Sequence, residues 1–137
     1  MDFLPVLRKL VLTYQAFEQY SSAHTKSLGL TMTQFDLIAT LGNQPPMTCK
    51  LLGEKTLTTK GTLTGVLERL EEKGLILREI NQEDGRSQLI SLTKRGQQIF
   101  DKSFPEHMAH LQKSFGKLTK RELDELSNSL EKLQKIF

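Results

Sequence analysis

The stretch at residues 57–96, LTTKGTLTGVLERLEEKGLILREINQEDGRSQLISLTKRG, sets a helical pattern directly before a hairpin pattern, and its reading decides the fold. From about residue 58 to residue 73, Leu63, Val66, Leu67 and Leu70 fall at the i, i+3, i+4, i+7 spacing that buries one stripe of a helix. Placing that stripe on a core turns Thr58, Gly61, Thr62, Gly65 and Arg69 outward, a face of hydroxyls, bare backbone and one guanidinium. Each glycine inside a helix is worse than alanine by about 1 kcal/mol, so Gly61 and Gly65, four residues apart on one side, call for a reason. Close approach of a phosphate backbone or a base edge supplies one; a loosely formed helix held by its leucines is the plainer account. Gly74 then stands where a left-handed residue ends the helix. Residues 75–80 and 87–92 are rich in branched apolar side chains and flank a polar hairpin loop with Asp84-Gly85 at its tip. Strands of that length project about 17–20 Å. A helix presenting a polar face with a basic hairpin beside it predicts a winged helix-turn-helix that reads DNA.

Composition bounds the alternatives. A chain of 137 residues with 37% hydrophobic content can bury one sizeable core. Its single cysteine, Cys49, allows no intrachain disulfide, and with no amino-terminal signal pattern the expected compartment is the cytoplasm. No apolar run approaches the ~18 residues of a membrane span. The net charge is only +3, so positive charge for a DNA partner must be concentrated locally.

Outside the central stretch the pattern is helical. Phe3, Leu7, Leu10, Tyr14 and Phe17 form a heptad-like seam, widened by Val6 and Val11, with Pro5 in the first turn, where proline is tolerated. Thr31 or Thr33 can cap a second helix carrying Phe35, Leu37, Ile38 and Leu41, stopped by Gly42-Asn-Gln-Pro-Pro46. A short third helix, roughly residues 48–55, leads through Thr56-Leu-Thr58 into the glycine-bearing helix, the order of a helix-turn-helix. After the hairpin, Thr93 caps a fifth helix with Ile99, Phe100, Phe104, Met108, Leu111 and Phe115, in which Pro105 is expected to introduce a kink or a break. Thr119-Lys-Arg-Glu122 is a capping box that opens a last seam of Leu123, Leu126, Leu130, Leu133 and Phe137.

The expected fold is thus mainly α with a small β-hairpin wing: a winged helix-turn-helix core at residues 31–96, a dimerisation helix at 1–30 and dimerisation helices at 97–137. The terminal seams exceed what one small winged domain needs to cover itself. They bury each other either within one chain or across a two-fold axis, and the second is favoured because a homodimer sets two reading helices about 34 Å apart on a palindromic double-stranded site. Arg86, on the thin hairpin, suits the narrow, electronegative minor groove of A·T-rich DNA, with Asp84 either clamping Arg86 or forming the turn.

These residues carry a resemblance. The helix-turn-helix followed by Leu67-Glu-Arg-Leu-Glu-Glu-Lys-Gly-Leu-Ile76, then Asp84-Gly-Arg86, then Leu92-Thr-Lys-Arg-Gly96 resembles the MarR family of bacterial and archaeal transcription regulators over nearly the whole chain. What the resemblance implies is a homodimeric repressor whose terminal helices form the interface. It implies two winged lobes on a pseudo-palindromic operator, released by a small-molecule ligand or an oxidant. By position it assigns DNA contact to Thr58, Thr59, Lys60, Thr62, Thr64 and Arg69 on the recognition helix, and to Arg86 braced by Asp84 on the wing. Gly85 departs from the pattern, because many members carry a second basic residue there. Gly61-Thr-Leu-Thr64 and Leu89-Ile-Ser-Leu-Thr93 are similar to the organic-peroxide-sensing branch, but the reactive cysteine of that branch lies in the first long helix, which has none here. Cys49 lies instead beside Leu51 and Leu52, where a buried, inert thiol is expected and a redox role is the alternative.

Other readings carry less. His107 and His110 share a helix face at i, i+3 and, with His24, are weak candidates for a zinc-responsive site, lacking the i, i+4 pair of stronger helical motifs. Tyr14, Phe17, Phe35 and Met108 are candidates to line an effector pocket, although aromatics at helical spacing commonly form ordinary core. No glycine-rich phosphate loop, nucleophile constellation or cofactor motif is present, so neither an enzyme nor a cofactor is expected. A winged helix used for protein contact, without DNA, is the remaining alternative.

Overall fold

Six helices, α1 (Leu4–Ser27), α2 (Met32–Leu41), α3 (Cys49–Lys55), α4 (Lys60–Glu72), α5 (Lys94–Phe115) and α6 (Lys120–Gln134), are joined with three strands, β1 (Met47–Thr48), β2 (Ile76–Ile80) and β3 (Gln88–Leu92), in the computed structural model, which describes residues 1–137. Threonines begin most of the helices. Thr31 accepts a bond from the Gln34 amide while the Gln34 side chain accepts from the Thr31 amide, a reciprocal box that settles the choice between Thr31 and Thr33. Thr48 accepts from the Leu51 amide, Thr93 from the Gly96 amide, and Thr119 forms the expected box with Glu122.

By internal contacts the chain divides into a unit of Met1–His107 and a unit of Met108–Phe137. In the first, the core is built from Leu37, Ile38 and Leu41 of α2, Leu52 of α3, Leu63, Val66, Leu67 and Leu70 of α4, and Met47, Leu75, Ile76, Ile90 and Phe100 around the sheet. The predicted α4 stripe is buried at all four positions. Each of these four side chains contributes about 1.5–3 kcal/mol by leaving water. In the second unit α6 buries no residue, and its solvent face carries exposed i, i+4 pairs between Lys120 and Asp124 and between Arg121 and Glu125, each 3.2 Å apart.

The sheet is antiparallel in the order β1-β3-β2, with Arg78 opposite Ile90 on one side of β3 and Met47 opposite Ile90 on the other. β1 was not legible beforehand, since two residues offer no alternation to detect. The hairpin strands each begin one residue later than the sequence suggested. Pro105 lies inside α5 without interrupting it, so the expected break is absent. Helix α4 begins at Lys60, two residues later than expected, because Thr59 is its N-cap and Thr58 belongs to the turn.

A junction holds these elements in place. Gly74 adopts φ +73° and ends α4; its carbonyl accepts the Thr93 hydroxyl at 2.6 Å, while the Leu75 carbonyl accepts the Thr93 amide at 3.0 Å. Gly96 packs so closely here that a Cβ would overlap the Leu75 carbonyl oxygen, a backbone atom that cannot move aside. Gly96→Ala is therefore expected to destabilise the fold by about 1–3 kcal/mol, the usual range for overpacking, read as a lower urea midpoint at unchanged slope.

Candidate nucleic-acid interface

Opposite its buried stripe, α4 presents Lys60, Gly61, Thr62, Thr64, Gly65, Glu68 and Arg69 to solvent. Nothing lies within 4 Å of a Cβ built on Gly61 or Gly65, so no contact within the chain demands glycine at either position. Thr59 caps α4 without using its side chain on the backbone; its hydroxyl instead meets that of Thr62 at 3.0 Å. No side chain therefore satisfies the first-turn amides, the arrangement that receives a phosphate at a helix N-terminus.

Thr58 is a correction to the sequence reading. It does not face outward: it is buried, and its hydroxyl donates to Asp36 Oδ2 of α2 at 2.8 Å. The Leu57 amide donates to the same oxygen at 2.8 Å. Asp36 carried no signal in the sequence because its partners lie 21 and 22 residues away.

At the hairpin tip Asp84 acts as the turn-former. Its carboxylate accepts the Arg86 amide at 3.0 Å, and further bonds link Asn81 to Ser87 and Asp84 to Asn81. Asp84 thus braces Arg86 through the main chain, and the guanidinium is on the surface with no ion pair to that carboxylate. Gly85 does not take a positive φ, so the tip is not the left-handed turn for which Asp-Gly is best known.

Cys49 is exposed at the first residue of α3, which corrects the expectation of a buried thiol. His24 and His107 come together, Nδ1 to Nδ1 at 2.8 Å, while Nε2 of the buried His107 meets the Ser21 hydroxyl at 3.1 Å and Phe35 sets its ring edge-on against His107. No group of three or more metal-capable side chains forms around them. Phe35 also packs on the core, whereas Tyr14 is well exposed and hydrogen-bonds Glu18, whose carboxylate raises the phenol above its ordinary range. On α1, Leu7, Leu10 and Tyr14 are exposed and Phe17 is half-buried; on α6, Leu126 and Leu130 are exposed, Leu123 and Leu133 are half-buried, and Phe137 lies beyond the helix end in solvent. No helix is long and apolar enough to cross a membrane.

Comparison with known proteins agrees with this arrangement. The MarR family model matches residues 30–88. The organic hydroperoxide resistance transcriptional regulator of Bacillus subtilis is 36% identical over 108 residues, covering 77% of this chain and 74% of that protein. Among solved structures, a MarR mutant from E. coli in complex with operator DNA superposes with a TM-score of 0.84 at 25% identity, covering 96% of this chain and 95% of that one. AbsC, a MarR family regulator from Streptomyces coelicolor, shares the fold with a TM-score of 0.87 at 22% identity, over 95% of this chain and 90% of that one. With its glycine-bearing helix, its hairpin and these relatives taken together, the chain belongs to the MarR family of DNA-binding transcriptional regulators.

Proposed function

We propose that the chain is a sequence-specific repressor that binds a pseudo-palindromic operator as a homodimer and is released by a small-molecule ligand or an oxidant. The observation that carries the DNA-reading part is the outer face of α4, where two exposed glycines with open space above them interrupt a helix otherwise held by a complete leucine stripe. Such a face admits a sugar-phosphate backbone or base edge closer than any side chain would allow. Lys60, Thr62, Thr64 and Arg69 surround it as donors to phosphates and bases, and Arg86 reaches the minor groove from the wing. Thr59 contributes through the backbone end of the helix, and Thr58 only indirectly, since its hydroxyl is bonded to Asp36.

The homodimer is supported by the apolar surfaces left open at both ends of the chain. Phe3, the N-cap of α1, and Leu4, Val6, Leu7 and Val11 within it are all about half exposed, and α6 leaves Leu126 and Leu130 open in the same way. Surfaces of that extent on successive helical turns mark an interface. For release by an oxidant, Cys49 is the sole thiol available and it is exposed. The relative named for organic hydroperoxide resistance makes oxidants the first class of signal to test.

Selection of genomic DNA fragments by the purified chain, followed by titration on the recovered site, tests the reading. Arg86→Ala is expected to weaken operator binding by about 1–3 kcal/mol with an unchanged melting temperature; equal binding by the variant would remove the wing from the interface. Gly61→Ala and Gly65→Ala are expected to do two opposite things, raising the unfolding free energy by up to about 1 kcal/mol each while weakening the operator complex. Sedimentation equilibrium should give a dimer for the native chain, and Leu7→Glu or Leu130→Glu should shift it toward monomer without loss of helical circular dichroism.

A further inference from the structure

The turn before the recognition helix inverts the usual order of burial. Thr56 and Thr58 are each only 8% exposed, whereas Leu57 between them is 93% exposed. Thr56 has extended backbone angles, φ −83° and ψ 160°, and the chain bends through residues 56–58, so that Leu57 projects away from the core that its two neighbours face. A sequence selected only for stability would therefore place the leucine inward and the hydroxyls outward. Here the inversion leaves the Thr56 hydroxyl buried with no hydrogen-bond partner. Scattered exposed leucines are ordinary on protein surfaces, but they do not require polar neighbours to be buried in their place.

The segment is also fixed. Asp36 Oδ2 accepts both the Leu57 amide and the Thr58 hydroxyl at 2.8 Å, so one carboxylate oxygen holds the main chain of the exposed leucine and the side chain of the next residue. Thr59 then caps α4 and Lys60 opens it. Leu57 is in this way held out beside the N-terminal end of the helix, the end from which helix-turn-helix proteins contact base edges.

We propose that Leu57 is a specificity-determining contact for a thymine 5-methyl group in the major groove, and that Asp36 is the positioning residue that holds it there. The methyl of thymine is the one apolar feature of the major-groove edge, and an aliphatic side chain is its natural complement. Because Asp36 fixes the backbone before DNA arrives, little ordering remains to be done on binding. The inference rests on the reading of α4 as the DNA-recognition helix.

The test uses the full chain and the site recovered from genomic fragments, with thymines replaced one at a time by uracil, which removes only the methyl. Wild type is expected to lose about fourfold in affinity at one thymine per half-site, the factor for one methyl group withdrawn from apolar contact. Leu57→Ala should show the same loss on the unmodified site, no further loss with uracil, and an unchanged melting temperature. Asp36→Ala should abolish the uracil effect although the leucine remains, and Asp36→Asn, which keeps an acceptor oxygen, should restore it. Wild-type affinity in Leu57→Ala, or persistence of its uracil sensitivity, would overturn the proposal, as would an equal loss on operator and random DNA, which indicates a backbone contact. If wild type recovers no preferred sequence at all, the DNA-reading function fails first and this inference with it; recovery of a site with Leu57→Ala unaffected overturns the inference alone.

Discussion

Three successive carbonyl groups, of Lys73, Gly74 and Leu75, accept hydrogen bonds from Thr93 and Arg95, and that convergence fixes how α4, β2, β3 and α5 meet. The end of α4, the start of β2, the end of β3 and the start of α5 meet at this point. Gly74 contributes the left-handed turn and Gly96 the absence of a side chain that lets the two segments touch. The C-terminal carbonyls of a helix need partners wherever they are withdrawn from water. Here the partners come from the residues that open the next helix. The junction between α4 and the hairpin is therefore held by one main-chain bond, from the Thr93 amide, and by two side-chain donors, the Thr93 hydroxyl and the Arg95 guanidinium.

What was legible in the sequence was what the chain determines locally. The α4 stripe of Leu63, Val66, Leu67 and Leu70, the Thr119–Glu122 box and the Gly74 stop each depend on neighbours within one or two turns, and each stands where it was expected. The failures share a different cause. Helical spacing extends through Thr58 and turns it to the exposed face, but a carboxylate 22 residues earlier draws it inward and delays the helix. β1 exists only because Ile90 and Leu89 are available to pair with it, which no local pattern encodes. Cys49 was expected inside beside two leucines, yet as the first residue of a seven-residue helix it falls on the open side while Leu52 takes the core. Pro105 lies in an unbroken helix, so of the kink or break expected there the break is absent, a case of tertiary context overriding propensity.

The electrostatic character of the molecule is local. With a net charge of only +3 the chain has no general attraction for polyanions to rely on. Acidic residues are used internally as fasteners: Asp36 on the helix-turn-helix turn and Asp84 on the wing tip each accept backbone amides. A carboxylate engaged in this way organises its loop while its own charge is partly met by donors.

The two-residue strand β1 gives the wing an uneven stiffness. Met47 and Thr48 pair with Ile90 and Leu89, so the hairpin is carried from its root as far as Leu89 by the core and by this third strand. From Gln88 outward, through Asn81–Ser87, only the two hairpin strands and the bonds within the turn remain. Stability against local opening falls where buried contacts and ladder bonds thin out. The hairpin is in effect a cantilever, clamped at its root and compliant at its end. In the proposed complex such a beam would let its tip follow a groove that widens or narrows along the duplex, absorbing the bending before any of it reaches the helix fixed at the other side of the clamp.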